Sequence, residues 1–440
     1  MSGHSNKAIT FNAMPGGQLS GSVRVPGDKS ISHRSIMLGS LAEGETRISG
    51  FLEGEDSLAT LKVFQTMGVH IEGPNEGRVT IQGVGMHGLK PPGKDLYLGN
   101  SGTSMRLMCG LLAGQSFDTV LTGDTSLSGR PMRRVIEPLC KMNASIASNE
   151  DNTAPLRIGG NQSLLGIDYE LPVASAQVKS CLLLAGLYAH GKTCVTEPVP
   201  TRDHTERMLQ GFGYSLTRQG STICLDGGGS LQATSIDVPA DISSAAFFMV
   251  GASIAEGSDI TLEHVGINPT RTGVIDILKL MGAQLEIINP REVGGEPVAD
   301  IVVRSSQLSG IDIPEELVPL AIDEFPVLFV AAACAKGQTV LTGARELRVK
   351  ESDRIQVMAD GLQELGIDTQ VTEDGIIIQG GELKGGTVVS HGDHRISMSF
   401  AIAALRCQDK LVIKDCANVD TSFPGFVDQA RHLGLTISVE

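Results

Sequence analysis

The chain has 440 residues, of which 41% are hydrophobic and 19% charged, a globular composition that excludes a disordered or fibrous chain. Its length predicts two or three domains. Lysine and arginine together number 35 against 50 aspartate and glutamate residues, which gives a net charge of −15, and tryptophan is absent. A nucleic-acid-binding or anionic-membrane surface needs a basic footprint, so this balance argues against both.

The N-terminal residues, the longest apolar run and the cysteines together indicate the cellular compartment of the protein. The N-terminal residues Met-Ser-Gly-His-Ser-Asn-Lys show no apolar stretch of a secretory signal. The longest apolar run, 325–335, is far shorter than the ~20 residues that span a bilayer. Eight cysteines show no paired spacing. We therefore expect a cytoplasmic protein whose cysteines are small, buried, unpaired thiols.

Taken in chain order, one pattern recurs six times. A polar or charged residue opens a helix of small and apolar residues, a short strand and a polar loop follow, and a second, amphipathic helix ends at Gly or Asn. The opening residues are Ser30, Ser101, Ser175, Asp241, Asp323 and His394. The ending residues are Gly68, Asn143, Gly213, Gly282, Gly366 and Gly434. The interval between them varies only from 38 residues in the first repeat to 43 in the fifth, which indicates six copies of one unit.

Each copy is predicted to be a β-α-β-α-β-β unit. Gly and Asn accept the left-handed conformation that commonly ends a helix, and alternating apolar residues after each of them predict a strand. The first helices, such as 245–252 and 326–333, are apolar nearly all round and should be buried on every side. The second helices keep a polar face. Helices should therefore lie inside and sheets outside.

Six units divide naturally as three plus three. The short strands broken by Pro26 and Pro239 read as two crossovers between lobes. We expect one lobe from residues 1–22 plus 238–440, another from 23–237, and the active site in the cleft between them. The predicted fold class is α/β, a two-lobed inside-out α/β barrel.

Cations gather at the predicted helix starts and the loops near them. Helix N-termini bind anions through free N–H groups and the helix dipole, and Arg clamps carboxylate or phosphate. The cations are Lys29, Arg34, Arg106, Arg130, Arg202, Lys350, Arg354 and Arg395. Any one of them could simply be a solvated surface charge. Eight at equivalent places in an acidic chain favour a cleft for small anions.

Three segments carry most of the chemistry. Residues 26–35 read Pro-Gly-Asp-Lys-Ser-Ile-Ser-His-Arg-Ser, 98–106 read Leu-Gly-Asn-Ser-Gly-Thr-Ser-Met-Arg, and 348–354 read Arg-Val-Lys-Glu-Ser-Asp-Arg. None is a Walker A loop. The third alternates cations with a carboxylate, as proton transfer beside a bound phosphate requires. Asp323 opens the fifth unit, where it could serve only as an N-cap.

These segments, with 393–400, resemble the signatures of the 5-enolpyruvylshikimate-3-phosphate synthase family, and the resemblance extends from Leu19 to Ile437. It implies the enolpyruvyl transferase fold. It also implies transfer of the enolpyruvyl group of phosphoenolpyruvate to the 5-hydroxyl of shikimate 3-phosphate, with release of phosphate, in the shikimate pathway to chorismate and the aromatic amino acids. No cofactor and no metal are implied.

The resemblance assigns roles residue by residue. The implied phosphoenolpyruvate contacts are Lys29, Asn100, Gly102, Arg130, Gln177, Arg354 and Arg395. The implied shikimate 3-phosphate contacts are Lys29, Ser30, Arg34, Ser175, Ala176, Gln177, Arg202, Asp323 and Lys350. The implied catalytic residues are Asp323 as base for the 5-hydroxyl, Glu351 as proton shuttle at C3, and Lys29.

Some positions are similar to a divergent second branch of the family. Ala176 stands where many members have a second Ser, and Thr421 stands where they have Lys. Glyphosate is implied as an inhibitor, because Gly102 leaves space for it. The alternatives are a UDP-N-acetylglucosamine enolpyruvyl transferase, whose loop Cys is absent from residues 127–132, and a non-catalytic anion-binding scaffold. We expect a monomer.

Overall fold

The computed structural model describes residues 9–440 and groups them into two units. Unit 1 contains 9–26, 239–292 and 297–440, and unit 2 contains 27–238 and 293–296. The chain therefore leaves unit 1 after Pro26 and returns at Pro239. The turn at 293–296, which the sequence assigns to the other lobe, falls in unit 2. Residues 1–8, expected to join unit 1, lie outside the described residues.

Unit 2 holds three repeats, which follow two strands of unit 1. Those two strands are β1 (Phe11–Ala13) and β2 (Ser20–Val23). The first repeat contains α1 (Lys29–Leu41), β3 (Ala42–Ser49), α2 (Glu55–Thr66), β4 (His70–Asn75) and β5 (Arg78–Val84). The second contains β6 (Leu96–Tyr97), α3 (Gly102–Ala113), β7 (Thr119–Thr122), α4 (Thr125–Ser128), α5 (Arg133–Lys141), β8 (Ile146–Ala147) and β9 (Leu156–Ile158). The third contains β10 (Asp168–Glu170), α6 (Ala176–Gly186), β11 (Lys192–Thr196), α7 (His204–Gly211), β12 (Thr217–Gln219) and β13 (Thr222–Asp226), and is followed by β14 (Leu231–Gln232) and β15 (Ser235–Asp237).

Unit 1 holds the other three repeats. The fourth contains α8 (Ile242–Ile254), β16 (Asp259–Gly266), α9 (Gly273–Leu280), β17 (Gln284–Val293) and β18 (Glu296–Arg304). The fifth contains α10 (Phe325–Cys334), β19 (Gln338–Leu341), α11 (Arg354–Glu364), β20 (Asp368–Val371), β21 (Ile376–Gln379) and, after it, β22 (Gly386–Val389). The sixth contains α12 (His394–Ala403), β23 (Leu411–Lys414), α13 (Phe426–Leu433) and β24 (Ile437–Val439).

The described strands form six separate sheets, three in each unit. Their strand orders are β14-β3-β5-β4, β6-β7-β9-β8 and β10-β11-β13-β12 in unit 2, and β17-β18-β16-β2, β19-β21-β20 and β22-β23-β1-β24 in unit 1; β15 also pairs with β3. Where the strands on either side of a first helix lie in one sheet, they run parallel, as β6 and β7 do across α3. Repeats that end in a hairpin pair its two strands antiparallel, as β20 and β21 do, whereas the last strand of the sixth repeat, β24, pairs antiparallel with β1. Each sheet thus corresponds to one predicted repeat.

The first helices form the interior of each unit. Every residue of α8 is buried, and α8, α10 and α12 pack on one another in unit 1. In unit 2, α3 packs closely on α6, and both supply the core. The apolar composition of these helices thus correctly predicts that they lie inside. Within residues 9–440 no helix is long and apolar enough to cross a membrane.

The second helices end as predicted. All six ending residues have positive φ, from 71° at Asn143 to 119° at Gly434. Only Gly, and less readily Asn, adopts this conformation without steric cost, so it terminates the helix and turns the chain toward the next strand.

The openings of the first helices are only partly as predicted. The six N-caps are Asp28, Ser101, Ser175, Asp241, Glu324 and Asp393. Three of these are the predicted opening residues. His394 is the first residue of α12 and so opens its helix as predicted, and Ser30 is the second residue of α1. Asp323 instead precedes the cap, Glu324. At α1 and α12 the cap is the aspartate just upstream of Ser30 and His394, and its side chain accepts a hydrogen bond from a backbone N–H of the first turn.

The expectation that all eight cysteines are free is also wrong. Cys194 of β11 and Cys224 of β13 form a disulfide. The two residues lie directly opposite each other in the antiparallel register, with Cα atoms 4.1 Å apart. Cys140 is exposed rather than buried. A separation of 30 residues carries no signal in the sequence, because only strand pairing brings the two thiols together.

The close approach of α3 and α6 gives a stability prediction. A methyl group on Gly110 would lie 2.0 Å from the carbonyl oxygen of Cys181, so Gly110→Ala must force the helices apart. We expect the free energy of unfolding to fall by about 1–3 kcal/mol or more in urea titrations. Gly211→Ala is the matched control, because no atom lies within 4 Å of its added methyl, and it should raise stability by about 0.4–1 kcal/mol. Equal stability of the two variants would contradict this packing.

Candidate active site

The start of α1 presents a cation. Asp28 caps the helix by accepting a hydrogen bond from the N–H of Ile31 at 2.8 Å. Lys29, the first helical residue, pairs with the buried carboxylate of Asp56, and about a quarter of its side chain stays exposed. Ser30 is half-buried beside it. The site therefore combines an accessible ammonium group with the N–H groups of a helix N-terminus, an arrangement that favours anions.

Arg34 lies one turn further along α1 and is buried. Its Nε donates to the hydroxyl of Thr205 at 2.7 Å, Nη1 to the carbonyl of Ser30 at 3.0 Å, and Nη2 to the hydroxyl of Ser180 at 2.8 Å. Burial lowers the pKa of Arg34 to about 10; Glu206 opposes the shift and Arg202 adds to it. The guanidinium stays charged at neutral pH, and each of Nη1 and Nη2 has a second hydrogen for a ligand.

The start of α3 carries the next group. Ser101 caps this helix. The side-chain oxygen of Asn100 accepts from Arg130 Nη2 at 2.6 Å, and its amide donates to Asp124 at 2.7 Å. A methyl group on Gly102 would lie 3.1 Å from Nη1 of Arg106 and 3.2 Å from Nη1 of Arg130. The absence of a side chain at this position thus leaves room beside two guanidinium groups.

The start of α6 lies against the start of α3. Ser175 caps α6, and Ala176 is its first residue. The Gln177 side chain accepts from Arg106 Nη1 at 2.6 Å and donates to Thr103 at 3.0 Å. Arg106, which the sequence names only as one of eight cations, therefore orients a predicted substrate contact. Within unit 2, side-chain hydrogen bonds join the N-terminal turns of α1, α3 and α6.

A buried histidine joins α1 to α3. His33 is fully buried, with Nδ1 2.9 Å from the hydroxyl of Thr60 and 3.1 Å from that of Ser104, and Nε2 3.4 Å from that of Ser101. Burial lowers the pKa of His33 well below its usual value, with further contributions from the charges of Lys29 and Arg34. A neutral imidazole thus supports the caps around the anion-binding helix starts.

In unit 1 the predicted residues meet around Arg354, whose exposed fraction is 1%. Its Nε donates to Asp393 at 2.8 Å, Nη1 to Asp323 at 3.3 Å and Nη2 to Glu351 at 2.6 Å. Burial lowers the pKa of Arg354, but the three carboxylates, Asp393 first, outweigh it and raise the pKa above its usual value. Nη2 also reaches Asp393, so one N–H of Nη1 remains for a ligand.

Asp323 belongs to this cluster and is not the helix cap. Its Oδ1 lies 3.5 Å from Nζ of Lys350 and 3.3 Å from Nη1 of Arg354. The capping position belongs to Glu324, a buried residue that accepts from the hydroxyl of Ser243. The interpretation of Asp323 as the N-cap is therefore wrong, and its carboxylate pairs with two cations instead.

Arg395 and Glu351 complete the described groups of unit 1. Arg395 is the second residue of α12, and its N–H donates to Asp393 at 3.0 Å. Its side chain is half-buried. Glu351 retains an exposed fraction of 26% while it pairs with Arg354. A carboxylate that is both held and accessible can exchange protons with a bound ligand.

Comparison with known proteins first identifies the class. The enolpyruvyl transferase NikO from Streptomyces tendae, 16% identical, matches with a TM-score of 0.79 over 98% of this chain and 99% of that one, so the chain has the enolpyruvyl transferase fold. Within this class, the model of the EPSP synthase (3-phosphoshikimate 1-carboxyvinyltransferase) family matches residues 13–430, and the chain belongs to that family.

Individual members are highly similar. A 3-phosphoshikimate 1-carboxyvinyltransferase from Methylococcus capsulatus is 69% identical over 434 residues, 99% of either chain. One from Nitrosococcus oceani is 66% identical over 433 residues, 98% of either chain. The solved structure of the EPSP synthase from Acinetobacter baumannii is 61% identical with a TM-score of 0.90, and the match covers 98% of this chain and 100% of that one.

The pKa of His33 predicts a pH dependence of stability. Unfolding returns this pKa to about 6.5, so below that pH the unfolded chain binds a proton that the folded chain does not. The free energy of unfolding should fall as the pH drops from 7 to 5, and this contribution should vanish in His33→Asn. Urea titrations at several pH values should show the stability difference between the two proteins narrowing toward pH 5. Parallel curves would contradict a neutral buried His33.

Proposed function

We propose that this chain transfers the enolpyruvyl group of phosphoenolpyruvate to the 5-hydroxyl of shikimate 3-phosphate and releases phosphate, a step toward chorismate and the aromatic amino acids. The observation that carries the proposal is 69% sequence identity, over 99% of this chain, to a relative named for that activity. The cationic helix starts suit two anionic substrates. We further propose that the groups of both units serve this one reaction.

The groups of unit 2 bind the fixed parts of the substrates. Ser30 and Arg34, with its two unused N–H groups, hold the shikimate carboxylate. The start of α6 at Ser175 and Ala176, together with Arg202, holds the 3-phosphate. Gln177, oriented by Arg106 and Thr103, borders the shikimate ring and the enolpyruvyl group. Fixing both reactants converts a bimolecular step into an effectively intramolecular one.

A second set of groups binds phosphoenolpyruvate. These groups are Lys29, Asn100, Gly102, Arg130, Arg354 and Arg395. Lys29 combines its charge with the N–H groups of a helix start, which suits a phosphate. Arg354 has one N–H left for the ligand, because its other N–H groups hold carboxylates. Its main contribution is therefore to fix Asp323 and Glu351.

The chemistry needs one base and one proton shuttle. Asp323 takes the proton of the 5-hydroxyl while the hydroxyl oxygen attacks C2 of phosphoenolpyruvate. At the same time Glu351 gives a proton to C3. In the resulting tetrahedral intermediate, Glu351 takes a proton back from the new methyl group as the C2–O bond to phosphate breaks, and the phosphate leaves with that electron pair. Lys350 and Lys29 stabilise the developing negative charge. The two substrates are thereby converted into one enolpyruvyl ether and one phosphate, and both products leave the site.

Phosphate release tests the reaction directly. Release should require phosphoenolpyruvate and shikimate 3-phosphate together, and the product should be the 5-enolpyruvyl ether. Release with UDP-N-acetylglucosamine as acceptor would favour the sister enzyme. If no phosphate is released with either acceptor, the result would favour a non-catalytic anion-binding scaffold. We also propose a monomer, which sedimentation should show as a species of about 46.3 kDa.

The substitution Asp323→Asn distinguishes a role of this carboxylate as the base from a role in stabilising the fold. Because Glu324 is the cap, this substitution leaves the helix start intact. We expect kcat to fall roughly 10²–10⁴-fold while the melting temperature and the affinity for shikimate 3-phosphate change little. Asp374→Asn is the matched control, since that carboxylate only accepts a backbone N–H of Gly343. Near-normal kcat in folded Asp323→Asn protein would refute the assignment.

Gly102→Ala tests the phosphoenolpyruvate site. We propose that glyphosate, a phosphonate anion, competes for this site. The added methyl group would crowd the Nη1 atoms of Arg106 and Arg130 at 3.1 and 3.2 Å, so we expect weaker inhibition by glyphosate and a higher KM for phosphoenolpyruvate. Steady-state kinetics measures both. If neither changes, Gly102 does not line this site.

A further inference from the structure

Lys179 is a buried cation on α6 to which the proposed reaction gives no role. Its side chain is 0% exposed, and its Nζ lies 3.0 Å from Glu197 Oε2 and 2.7 Å from Glu206 Oε1. Both carboxylates are also buried. Burying such charges is costly, and a well-packed apolar group is often at least as stable. Stability of the fold therefore does not explain why a lysine is present.

The contacts of Lys179 connect three pieces of chain. Lys179 belongs to α6, Glu197 follows β11, and Glu206 lies in α7. The hydroxyl of Thr201 donates to Glu197 Oε1, and Lys179 Nζ lies 3.5 Å from the carbonyl oxygen of Thr201. The ammonium group thus fastens the loop between β11 and α7 to the first turns of α6.

That loop carries Arg202. On one side of it, Thr201 is held by Glu197 and Lys179. On the other side, both carboxylate oxygens of Asp203 accept from Nε of Arg207 at 3.0 Å. The position of Arg202 is therefore set by two anchored neighbours, one of which depends on Lys179.

The same cluster adjoins Arg34. Ser180 follows Lys179 in α6 and accepts from Arg34, and Thr205 precedes Glu206 in α7 and also accepts from Arg34. Burial raises the pKa of Glu206, and the charge of Lys179 opposes this shift. The charge of Glu206 in turn favours the protonated form of Arg34. Lys179 thus acts on the geometry and on the charge of this arginine.

We propose that Lys179 is a positioning residue for shikimate 3-phosphate: through Glu197 and Glu206 it holds Arg202, Arg34 and the start of α6 in the arrangement that receives the phosphate and the carboxylate. The inference rests on the proposed function, which assigns this ligand to these three groups. Lys179 itself does not touch the substrate. It sets how well the anion-binding groups are placed before the ligand arrives, and therefore affects affinity rather than the chemical step.

Lys179→Met replaces the cation by an apolar side chain of similar length. We expect the KM for shikimate 3-phosphate, and its Kd by calorimetry, to rise about tenfold or more, while kcat at saturating substrate stays within about threefold. The KM for phosphoenolpyruvate should change by less than about twofold. Leu183→Ala is the matched control, because it opens a cavity in the same buried helix. It should lower the melting temperature yet leave the affinity for shikimate 3-phosphate unchanged.

Thr201→Val is a second variant, needed if Lys179→Met fails to fold. It removes the hydroxyl that joins the loop to Glu197 and leaves the Lys179 ion pairs in place. We expect a rise of about threefold or more in the Kd for shikimate 3-phosphate with kcat unchanged. Wild-type affinity in folded Lys179→Met, or in Thr201→Val, would overturn the inference. Failure of the wild-type protein itself to bind shikimate 3-phosphate would instead overturn the proposed function.

Discussion

A helix that is apolar on every side can present polar groups only at its ends. The first helices of the repeats are largely buried, and α8 is buried along its whole length. The N-terminal N–H groups of such a helix have no partner within the helix and must be capped or bound by a ligand. The chemistry of this protein therefore collects at helix starts. The N-termini of α1, α3 and α6 adjoin in unit 2, and those of α10, α11 and α12 carry the cluster around Arg354 in unit 1.

Cations at these helix starts are balanced by carboxylates within the same unit. Lys29 pairs with Asp56, Lys179 with Glu197 and Glu206, and Arg354 with three acids. An acidic chain can in this way keep concentrated positive charge in a folded state that holds no substrate. The three cations differ in exposure: about a quarter of the Lys29 side chain is accessible, whereas the side chains of Arg354 and Lys179 are 1% and 0% exposed.

Two errors of the sequence-based prediction have the same origin. Asp323 reads as a cap because it precedes an apolar helix, but Glu324 occupies the capping position and frees Asp323 to face Lys350 and Arg354. Cys194 and Cys224 read as unrelated thiols, but strand register places them opposite each other.

Lys179 could have been noticed, because a lysine inside the run Val-Lys-Ser-Cys-Leu-Leu-Leu requires a buried partner. The sequence does not show which carboxylates are the partners of this lysine.

The sequence by itself determined what local chemistry controls: six repeats, the left-handed endings at Gly and Asn, the apolar helices and the motifs that carry Lys29, Arg34 and Arg354. These follow from backbone sterics and periodic hydrophobicity, which act over a few residues. Only the tertiary structure decided which charges meet. The partners of Arg354 come from three separate segments, and Arg34 lies 146 residues from Ser180 and 171 from Thr205. Such pairings depend on how helices pack and strands align, and no spacing along the chain records them.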